Sequence, residues 1–347
     1  MKSLKIDWRK EDYPPKNNLK VFGTFVCGGG STMGYKLAGC HHLGGVEIDK
    51  RMCEIYRKNH EPKHLYNEDI REFNKRDDLP NELYDLDILD GSPPCTTFSM
   101  SGNREKDWGK SRKYKEGQKV QTLDDLVFVY CETILKLQPK TAILENVPGI
   151  IAGKAKAYAI EIYERLESYG YDVQIFSLNS ATMGVPQARE RIFFIARRKD
   201  LELQPLQLDF NCKPIPFGKI ADKGCKTGPP KQLWPSIKIR LPFVEYGDQN
   251  LKFADARYRK LETLNAFFST LLLYDHEVPG TIVSQGATVY YEEKRSPNTT
   301  EFRRMQSFPS DYDFCGYDTR YITGMSVPPF MIYSITEEMK RQWFNKL

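Results

Sequence analysis

The stretch Leu86-Asp-Ile-Leu-Asp-Gly-Ser-Pro-Pro-Cys-Thr-Thr-Phe-Ser-Met-Ser-Gly102 carries the strongest indication of fold in this chain. The apolar run at its start, flanked by acids, is typical of a buried strand in a parallel sheet, so the loop that follows begins at the strand's carboxyl end. Open α/β sheets bind their ligands at that edge. Pro93 and Pro94 restrict the backbone and present Cys95 on a stiff turn. The pattern predicts a nucleophilic thiol in a ligand-binding loop.

The alternative is that Cys95 is a small buried side chain, which is common for free cysteine. Glycine and hydroxyl residues crowd the same loop, a composition that suits ligand contact better than core packing. We therefore favour the reactive thiol.

Composition places the chain among globular enzymes. Its 347 residues, 40% hydrophobic and 28% charged, are enough for two domains. The N-terminus does not resemble a signal peptide and no apolar run reaches membrane-spanning length, so we expect a cytoplasmic protein. The 8 cysteines are scattered without zinc-site spacing, which predicts reduced thiols and no metal.

Two basic segments stand out against a net charge of +5. Residues 103 to 119 carry 7 basic residues against 3 acids, and residues 210 to 260 carry 11 against 4. Such runs are usually solvated faces. Because one of them directly follows the predicted nucleophile, we expect a polyanionic substrate.

Earlier in the chain, Val21-Phe-Gly-Thr-Phe-Val26 predicts the first strand, and Cys27-Gly-Gly-Gly30 then opens a helix capped by Ser31 or Thr32. This glycine cluster is either an ordinary turn or a place where the backbone approaches a ligand. Glu47, at the tip of the predicted second strand, has the position of a ribose-binding acid in Rossmann-like folds. Asp69 either caps the segment after it or accepts a hydrogen bond from an adenine amine.

Beyond the Cys95 loop, Thr122 is predicted to cap a helix with an apolar face. A buried strand over residues 141 to 144 then ends in Glu145, at the same rim of the sheet as Cys95 and, if the winding is regular, on a neighbouring strand. A carboxyl beside a nucleophile indicates proton handling. Arg189 and Arg191 precede a further strand and are either a solvated edge or ligands of a phosphate or base carbonyl.

The alternation of strands and helices stops after residue 198. Prolines, lysines and isolated aromatics follow, which predicts a second, irregular domain over residues 199 to 280. Asn298-Thr-Thr-Glu301 is the pattern of a capping box, and the segment from Gly324 to Pro329 opens a terminal helix. We expect residues 1 to 198 to form the main domain and residues 281 to 347 to return to it.

These motifs together resemble the DNA (cytosine-5)-methyltransferases of bacterial and phage type. The ordered set is Phe25-Val-Cys-Gly-Gly-Gly30, Glu47, Asp69-Ile70, Pro93-Pro-Cys95, Glu145-Asn-Val147, Gln187-Ala-Arg-Glu-Arg191, the segment from Glu301 to Pro309 and Gly324 to Pro329. The chain departs from the family pattern at several positions, namely Gly23, Cys27, Thr96 and Met325. None of these is a predicted catalytic residue.

The resemblance implies a Rossmann-like, doubly wound and mostly parallel sheet, S-adenosylmethionine as cofactor, and a smaller target-recognition domain over residues 199 to 280. By resemblance the cofactor contacts are Phe25, Gly28, Gly29, Gly30, Glu47, Ile48, Asp69, Ile70, Pro94, Leu126 and Ser326. Cys95 would add to carbon 6 of a flipped-out cytosine, Glu145 would stabilise the adduct at ring nitrogen 3, Arg191 would hold the base carbonyl, and Arg189 would orient the site.

The resemblance also implies double-stranded DNA as the partner of a monomeric enzyme. Ser99, Ser101, Arg104 and Lys110 would contact the DNA strand, and a cognate restriction endonuclease acting on the same sequence is an expected companion. The target base must leave the stack before its carbon 5 can be reached.

Three other functions are compatible with parts of the pattern. A transfer-RNA methyltransferase of the same fold is the nearest of these, but the Cys-Phe-Thr signature of that branch is absent from this sequence. A nicotinamide-dependent dehydrogenase would share the glycine turn and Glu47 but has no use for Pro-Pro-Cys with Glu-Asn-Val. A DNA-binding protein without catalysis is supported only by the departures at Cys27 and Met325.

Overall fold

The computed structural model describes residues 5 to 94, 125 to 260 and 266 to 347. The predictions for Cys95, Ser99, Ser101, Arg104, Lys110 and Thr122 fall outside the described residues. The chain forms two compact units. The sheet unit comprises Tyr13–Leu178, Glu190–Asp209 and Ile332–Leu347, and the second unit comprises Met1–Asp12, Asn179–Arg189 and Phe210–Met331.

A seven-stranded sheet forms the centre of the sheet unit, in the order β3-β2-β1-β4-β5-β7-β6. The strands are β1 (Lys20–Thr24), β2 (His41–Val46), β3 (His64–Tyr66), β4 (Ile88–Gly91), β5 (Thr141–Asn146), β6 (Tyr171–Asn179) and β7 (Glu190–Arg198). The first five strands pair in parallel, whereas β7 runs antiparallel to β5. The predicted doubly wound, mostly parallel sheet is confirmed.

Helices follow most of the parallel strands. In the sheet unit they are α1 (Gly30–Leu37), α2 (Lys50–His60), α3 (Ile70–Lys75), α4 (Leu126–Leu137) and α5 (Lys156–Ser168). One apolar core includes Phe22 of β1, Leu89 of β4 and Ile134 of α4, all of which have no exposed surface. Since strand and helix residues share this core, burial fixes which face of each element turns inward.

The prediction that Ser31 or Thr32 caps α1 is wrong. The N-cap is Gly29, in the left-handed conformation with φ of 84°. A Cβ atom at Gly29 would lie 2.0 Å from Nε2 of His60, so no capping side chain fits there. The helix therefore begins earlier than the polar residues suggested, directly on the glycines.

The second unit contains short elements. They are α6 (Pro235–Lys238), α7 (Lys252–Arg259), β8 (Thr270–Leu273), β9 (Ala287–Tyr290), α8 (Thr299–Met305) and α9 (Thr319–Met325). β8 and β9 form a parallel pair. One small core surrounds Ile237 and Leu251, and another surrounds Phe217 and Met305. The helix α10 (Pro329–Gln342) begins in this unit and ends in the sheet unit.

The compact units differ from the boundaries predicted at residues 198 and 280. Asn179–Arg189 and the residues from 281 to 331 lie in the same unit as the predicted target-recognition domain. The cause is visible at α8, where Glu301 accepts a hydrogen bond from the backbone N–H of Asp222 at 2.8 Å. The recognition role of residues 199 to 280 stays a prediction.

Among the described helices, none is long and apolar enough to span a membrane.

Candidate active site

The parallel strands β2, β1, β4 and β5 lie side by side and end at one edge of the sheet. The strand order reverses direction between β1 and β4, and ligands of open α/β sheets bind beside such a switch point. The loops that leave this edge carry most of the residues predicted from the sequence.

The loop after β1 has an unusual backbone. Phe25 and Cys27 have φ of 56° and 47°, and Gly29 has φ of 84°. Residues other than glycine rarely adopt this left-handed backbone conformation, so the backbone is strained at Phe25 and Cys27. The N–H of Gly29 donates to the carbonyl of Val26 at 2.8 Å, closing a tight turn at the start of α1. A helix N-terminus entered through glycines suits a negatively charged group such as a carboxylate.

Glu47, just beyond β2, supports this loop. Its Oε2 accepts the backbone N–H of Cys27 at 2.9 Å, and its Oε1 accepts that of Asp49 at 2.8 Å. Burial raises the pKa of the Glu47 carboxyl to about 7, although the two backbone donors oppose the shift. Each carboxyl oxygen still has a second lone pair with which to accept a ligand hydroxyl. The glycine loop and Glu47 thus fit the cofactor that the motifs imply.

The remaining predicted cofactor residues of the sheet unit border the same region. Asp69 caps α3, since its carboxylate accepts the N–H of Arg71 at 2.9 Å. Capping, one of the two roles considered for Asp69, is therefore present, and adenine contact stays a prediction. Ile70 and Leu126 are buried in the first turns of α3 and α4. Ile48 and Pro94 are half-buried.

The neighbouring strand β5 brings Glu145 to the edge, beside the strand that leads to Cys95. Nε of Arg191 lies 2.9 Å from Oε1 of Glu145, and both side chains are nearly buried. This pairing exists because β7 runs antiparallel to β5, which carries Arg191 back to the end of β5 where Glu145 lies. The structure therefore joins the predicted acid and the predicted carbonyl-binding arginine.

Two polar atoms near the ends of β4 and β5 have no hydrogen-bond partner in the part of the chain that the structure describes. Among the described residues, Oγ of Ser92 and Nδ2 of Asn146 are buried and make no hydrogen bond. Asn146 is only 2% exposed, and its Oδ1 already accepts the N–H of Val147 at 2.8 Å. Buried donors without partners are costly in a folded protein and often mark a ligand site. Sequence analysis assigned no role to either atom.

Arg189 and Ser326 belong to the second unit and are held by backbone carbonyls there. The guanidinium of Arg189 donates to the carbonyls of Ile282 and Gly324, both at 3.1 Å. The hydroxyl of Ser326 donates to the carbonyl of Ile322 at 2.8 Å. Gln187, which sequence analysis noted only as part of a motif, receives the N–H of Ile282 at 2.9 Å and donates to Gln306 at 2.6 Å. All of these hydrogen bonds join residues within the second unit.

Comparison with known proteins shows what this chain is similar to. The sequence model of the C-5 cytosine-specific DNA methylase family matches residues 19 to 341. The type II methyltransferase M.FnuDI of Fusobacterium nucleatum is 31% identical over 94% of this chain and 96% of its own length. The type II methyltransferase M1.HphI of Haemophilus parahaemolyticus is 26% identical over 95% of this chain and 88% of its own.

Solved structures share the fold. A mutant of Spodoptera frugiperda DNMT2 superposes with a TM-score of 0.64 at 16% identity, covering 93% of this chain and 99% of that one. At that identity the likeness concerns architecture alone. Because the family match spans nearly the whole chain, this protein belongs to the C-5 cytosine-specific DNA methylase family and is a DNA (cytosine-5)-methyltransferase that uses S-adenosylmethionine.

Proposed function

We propose that the protein methylates a cytosine within a specific duplex sequence, with Cys95 as nucleophile and Glu145 and Arg191 as the groups that hold the base. The observation that carries the proposal is the Glu145–Arg191 pair at 2.9 Å. Glu145 lies on β5, the neighbour of the strand that leads to Cys95, and Arg191 lies on β7, on the far side of β5. A carboxyl and a guanidinium together match the polar edge of cytosine, which offers a ring nitrogen, a carbonyl and an amine.

The chemistry explains the choice of residues. Carbon 5 of cytosine is a poor nucleophile, so the thiolate of Cys95 first adds to carbon 6 and leaves an electron-rich enamine. Negative charge develops towards ring nitrogen 3, where a hydrogen bond from the carboxyl of Glu145 stabilises it. Arg191 donates to the base carbonyl with its planar fork. Loss of the carbon 5 proton and of the thiolate then restores the aromatic ring.

The cofactor would be held along the edge from β2 to β4. The glycine loop with Phe25 and Gly28 to Gly30 would take the amino-acid end, Glu47 and Ile48 the ribose, and Asp69 and Ile70 the adenine, with Pro94, Leu126 and Ser326 as further contacts. When bound, S-adenosylmethionine supplies an electrophilic methyl group. The strained backbone at Phe25 and Cys27 supports this placement, because strain of this kind is concentrated at ligand sites.

Recognition of DNA would fall to two basic regions. Ser99, Ser101, Arg104 and Lys110 would contact the strand that carries the target base, and residues 199 to 280 would read the sequence in the major groove. The names of the relatives support a role in a restriction–modification system, in which a cognate endonuclease cuts the same site when it is unmodified. We place the enzyme in the cytoplasm, as a monomer.

A methyl-transfer assay with purified protein tests the proposal. Wild-type protein should move label from S-adenosylmethionine to duplex DNA and leave total transfer RNA unlabelled. Cys95→Ser should abolish transfer while the Kd for the cofactor stays within about threefold, because the thiol is proposed to touch only the base. Near wild-type turnover in Cys95→Ser would contradict the assigned nucleophile, and labelling of transfer RNA alone would contradict the substrate.

A further inference from the structure

Asp90 is a buried acid for which the proposed chemistry has no role. It lies on β4, paired with Gly23 of β1 on one side and Ile143 of β5 on the other. Only 4% of its surface is exposed. Burial raises the pKa of the Asp90 carboxyl to about 7, and the nearby charge of Glu145 acts in the same direction. Burial of a carboxyl group in a sheet lowers the stability of a protein, and we therefore expect Asp90 to serve a function.

The carboxyl of Asp90 reaches across to helix α1. The hydroxyl of Tyr35 donates to Oδ1 of Asp90 at 2.9 Å. Tyr35 is completely buried. The connection therefore joins β4 to helix α1 through one buried hydrogen bond.

Each end of this connection leads to a part of the proposed site. Helix α1 starts at Gly30, directly after the glycine loop that would hold the cofactor. Strand β4 ends at Gly91, from which only Ser92, Pro93 and Pro94 separate Cys95. Because prolines leave the backbone few alternative conformations, a shift of β4 should be carried on to Pro94, the residue before Cys95 in the sequence.

We propose that Asp90 is a positioning residue that, through its hydrogen bond with Tyr35, holds the cofactor loop and the strand leading to Cys95 in fixed relation. The inference rests on the proposed function, since it assumes that Cys95 and the glycine loop serve one reaction. A displacement of about 1 Å between reacting groups can slow an enzyme about a hundredfold without weakening ligand binding. Removal of the Asp90 contacts should therefore lower the rate of the chemical step and spare both affinities.

A second buried tyrosine provides the matched control. Tyr56 of α2 is also completely buried and its hydroxyl lies 2.9 Å from Oγ1 of Thr32 on α1. Tyr56→Phe thus removes a buried hydroxyl that contacts the same helix, while the connection from α1 to β4 remains. A loss due only to a weakened α1 would appear in this variant too.

The experiment uses full-length wild-type protein, Tyr35→Phe, Asp90→Leu, Asp90→Asn, Tyr56→Phe and the double variant Tyr35→Phe/Asp90→Leu. Single-turnover methyl transfer is measured at saturating cofactor and DNA. The Kd for S-adenosylhomocysteine is measured by calorimetry. Covalent adducts are measured with duplex DNA in which 5-fluorocytosine replaces the target base. Once its carbon 5 has been methylated, fluorine cannot leave as the proton does, so the bond between Cys95 sulfur and carbon 6 persists and is visible on a denaturing gel.

We expect Tyr35→Phe and Asp90→Leu to slow both methyl transfer and adduct formation at least tenfold, with the Kd for S-adenosylhomocysteine within threefold of wild type. Asp90→Asn should recover most of the rate, because its amide oxygen can still accept from Tyr35. Tyr56→Phe should stay within twofold. The double variant should be no slower than the slower single variant, since both changes remove one connection.

Rates within twofold of wild type in Tyr35→Phe and Asp90→Leu would overturn the inference, as would an equal loss in Tyr56→Phe or a loss of cofactor affinity as large as the loss of rate. If Asp90→Leu does not fold, Tyr35→Phe and Asp90→Asn decide the question by the same criteria. Failure of the proposed function looks different, because wild-type protein would then form no adduct at all.

Discussion

At the residue scale, two buried carboxyls at one sheet edge have different surroundings and different proposed tasks. Glu47 is bonded to backbone N–H groups of the glycine loop and of Asp49, whereas Glu145 is paired with Arg191. We propose that the first supports the cofactor loop and that the second contacts the base. Both acids could be singled out from the sequence because each lies at the carboxyl end of a strand, Glu47 just after β2 and Glu145 in the last two residues of β5. The sequence could not predict the partner of Glu145, since that pairing depends on β7 lying antiparallel beside β5. Asp90 was missed because one acid in an apolar run does not reveal its contact with Tyr35.

Replacement of Glu145 by Gln should slow methyl transfer by about a hundredfold or more, the usual range for loss of a proton-handling group. The amide can still accept from Arg191, so the fold of the site and the Kd for DNA should change little. Single-turnover rates and DNA binding measured side by side check this expectation. An equal loss in rate and in DNA affinity would show that Glu145 binds DNA and has no special part in the chemistry.

The raised pKa of Glu47 gives the protein a pH-dependent stability. The unfolded carboxyl has a pKa of 4.5 and the folded one about 7. The folded state binds the proton of Glu47 more tightly than the unfolded state. The resulting contribution to the free energy of unfolding is therefore complete below pH 4.5 and is lost as the pH rises to 7. The free energy of unfolding of wild type relative to Glu47→Gln should therefore fall between these values, by at most about 1.4 kcal/mol per pH unit.

Urea unfolding at a series of pH values measures this difference. Glu54→Gln, an exposed change on α2, serves as control and should leave the pH profile of wild type unchanged. A difference between wild type and Glu47→Gln that is constant from pH 4.5 to 7 would contradict the raised pKa.

At the scale of elements, local sequence predicted the sheet well and helix starts unevenly. The capping box at α8 is confirmed: Oδ1 of Asn298 accepts the N–H of Glu301 at 3.0 Å, and the carboxyl of Glu301 accepts the N–H of Asn298 at 2.8 Å. This motif is readable because its contacts are all local. The start of α1 was misplaced because it depends on the ring of His60, which is distant in sequence.

Asn298→Ala should destabilise the protein by about 2 kcal/mol, at the upper end for loss of an N-cap. The reason for the large effect is that Nδ2 of Asn298 also donates to the buried carboxylate of Asp222 at 2.7 Å, which loses a partner. Urea unfolding provides the measurement. Thr299→Ala, exposed in the first turn of the same helix, should change the free energy of unfolding by less than about 0.5 kcal/mol. Equal changes in the free energy of unfolding in the two variants would show that the side-chain cap of Asn298 contributes no stability of its own.

At the scale of the whole molecule, the domain bounds predicted from composition and the compact units of the structure follow different signals. The change in composition marks where the strand and helix alternation ends, near residue 199. The joining of Asn179–Arg189 and the later segment to residues 210 to 280 rests on long-range contacts such as those of Arg189 with Ile282 and Gly324. Contacts of that kind leave no periodic pattern in a sequence. The catalytic motifs, in contrast, are local to strand ends, and for this reason the activity was predictable.

The central claim is that Cys95 attacks a flipped-out cytosine within a specific DNA sequence. Bisulfite sequencing of DNA from cells that express wild-type protein or Cys95→Ser tests it most directly, because bisulfite spares 5-methylcytosine and converts cytosine. We predict protected cytosines at one recurring sequence in cells with wild-type protein and none in cells with Cys95→Ser. Equal protection in both, or no protected cytosine with a well-expressed wild-type protein, would contradict the claim.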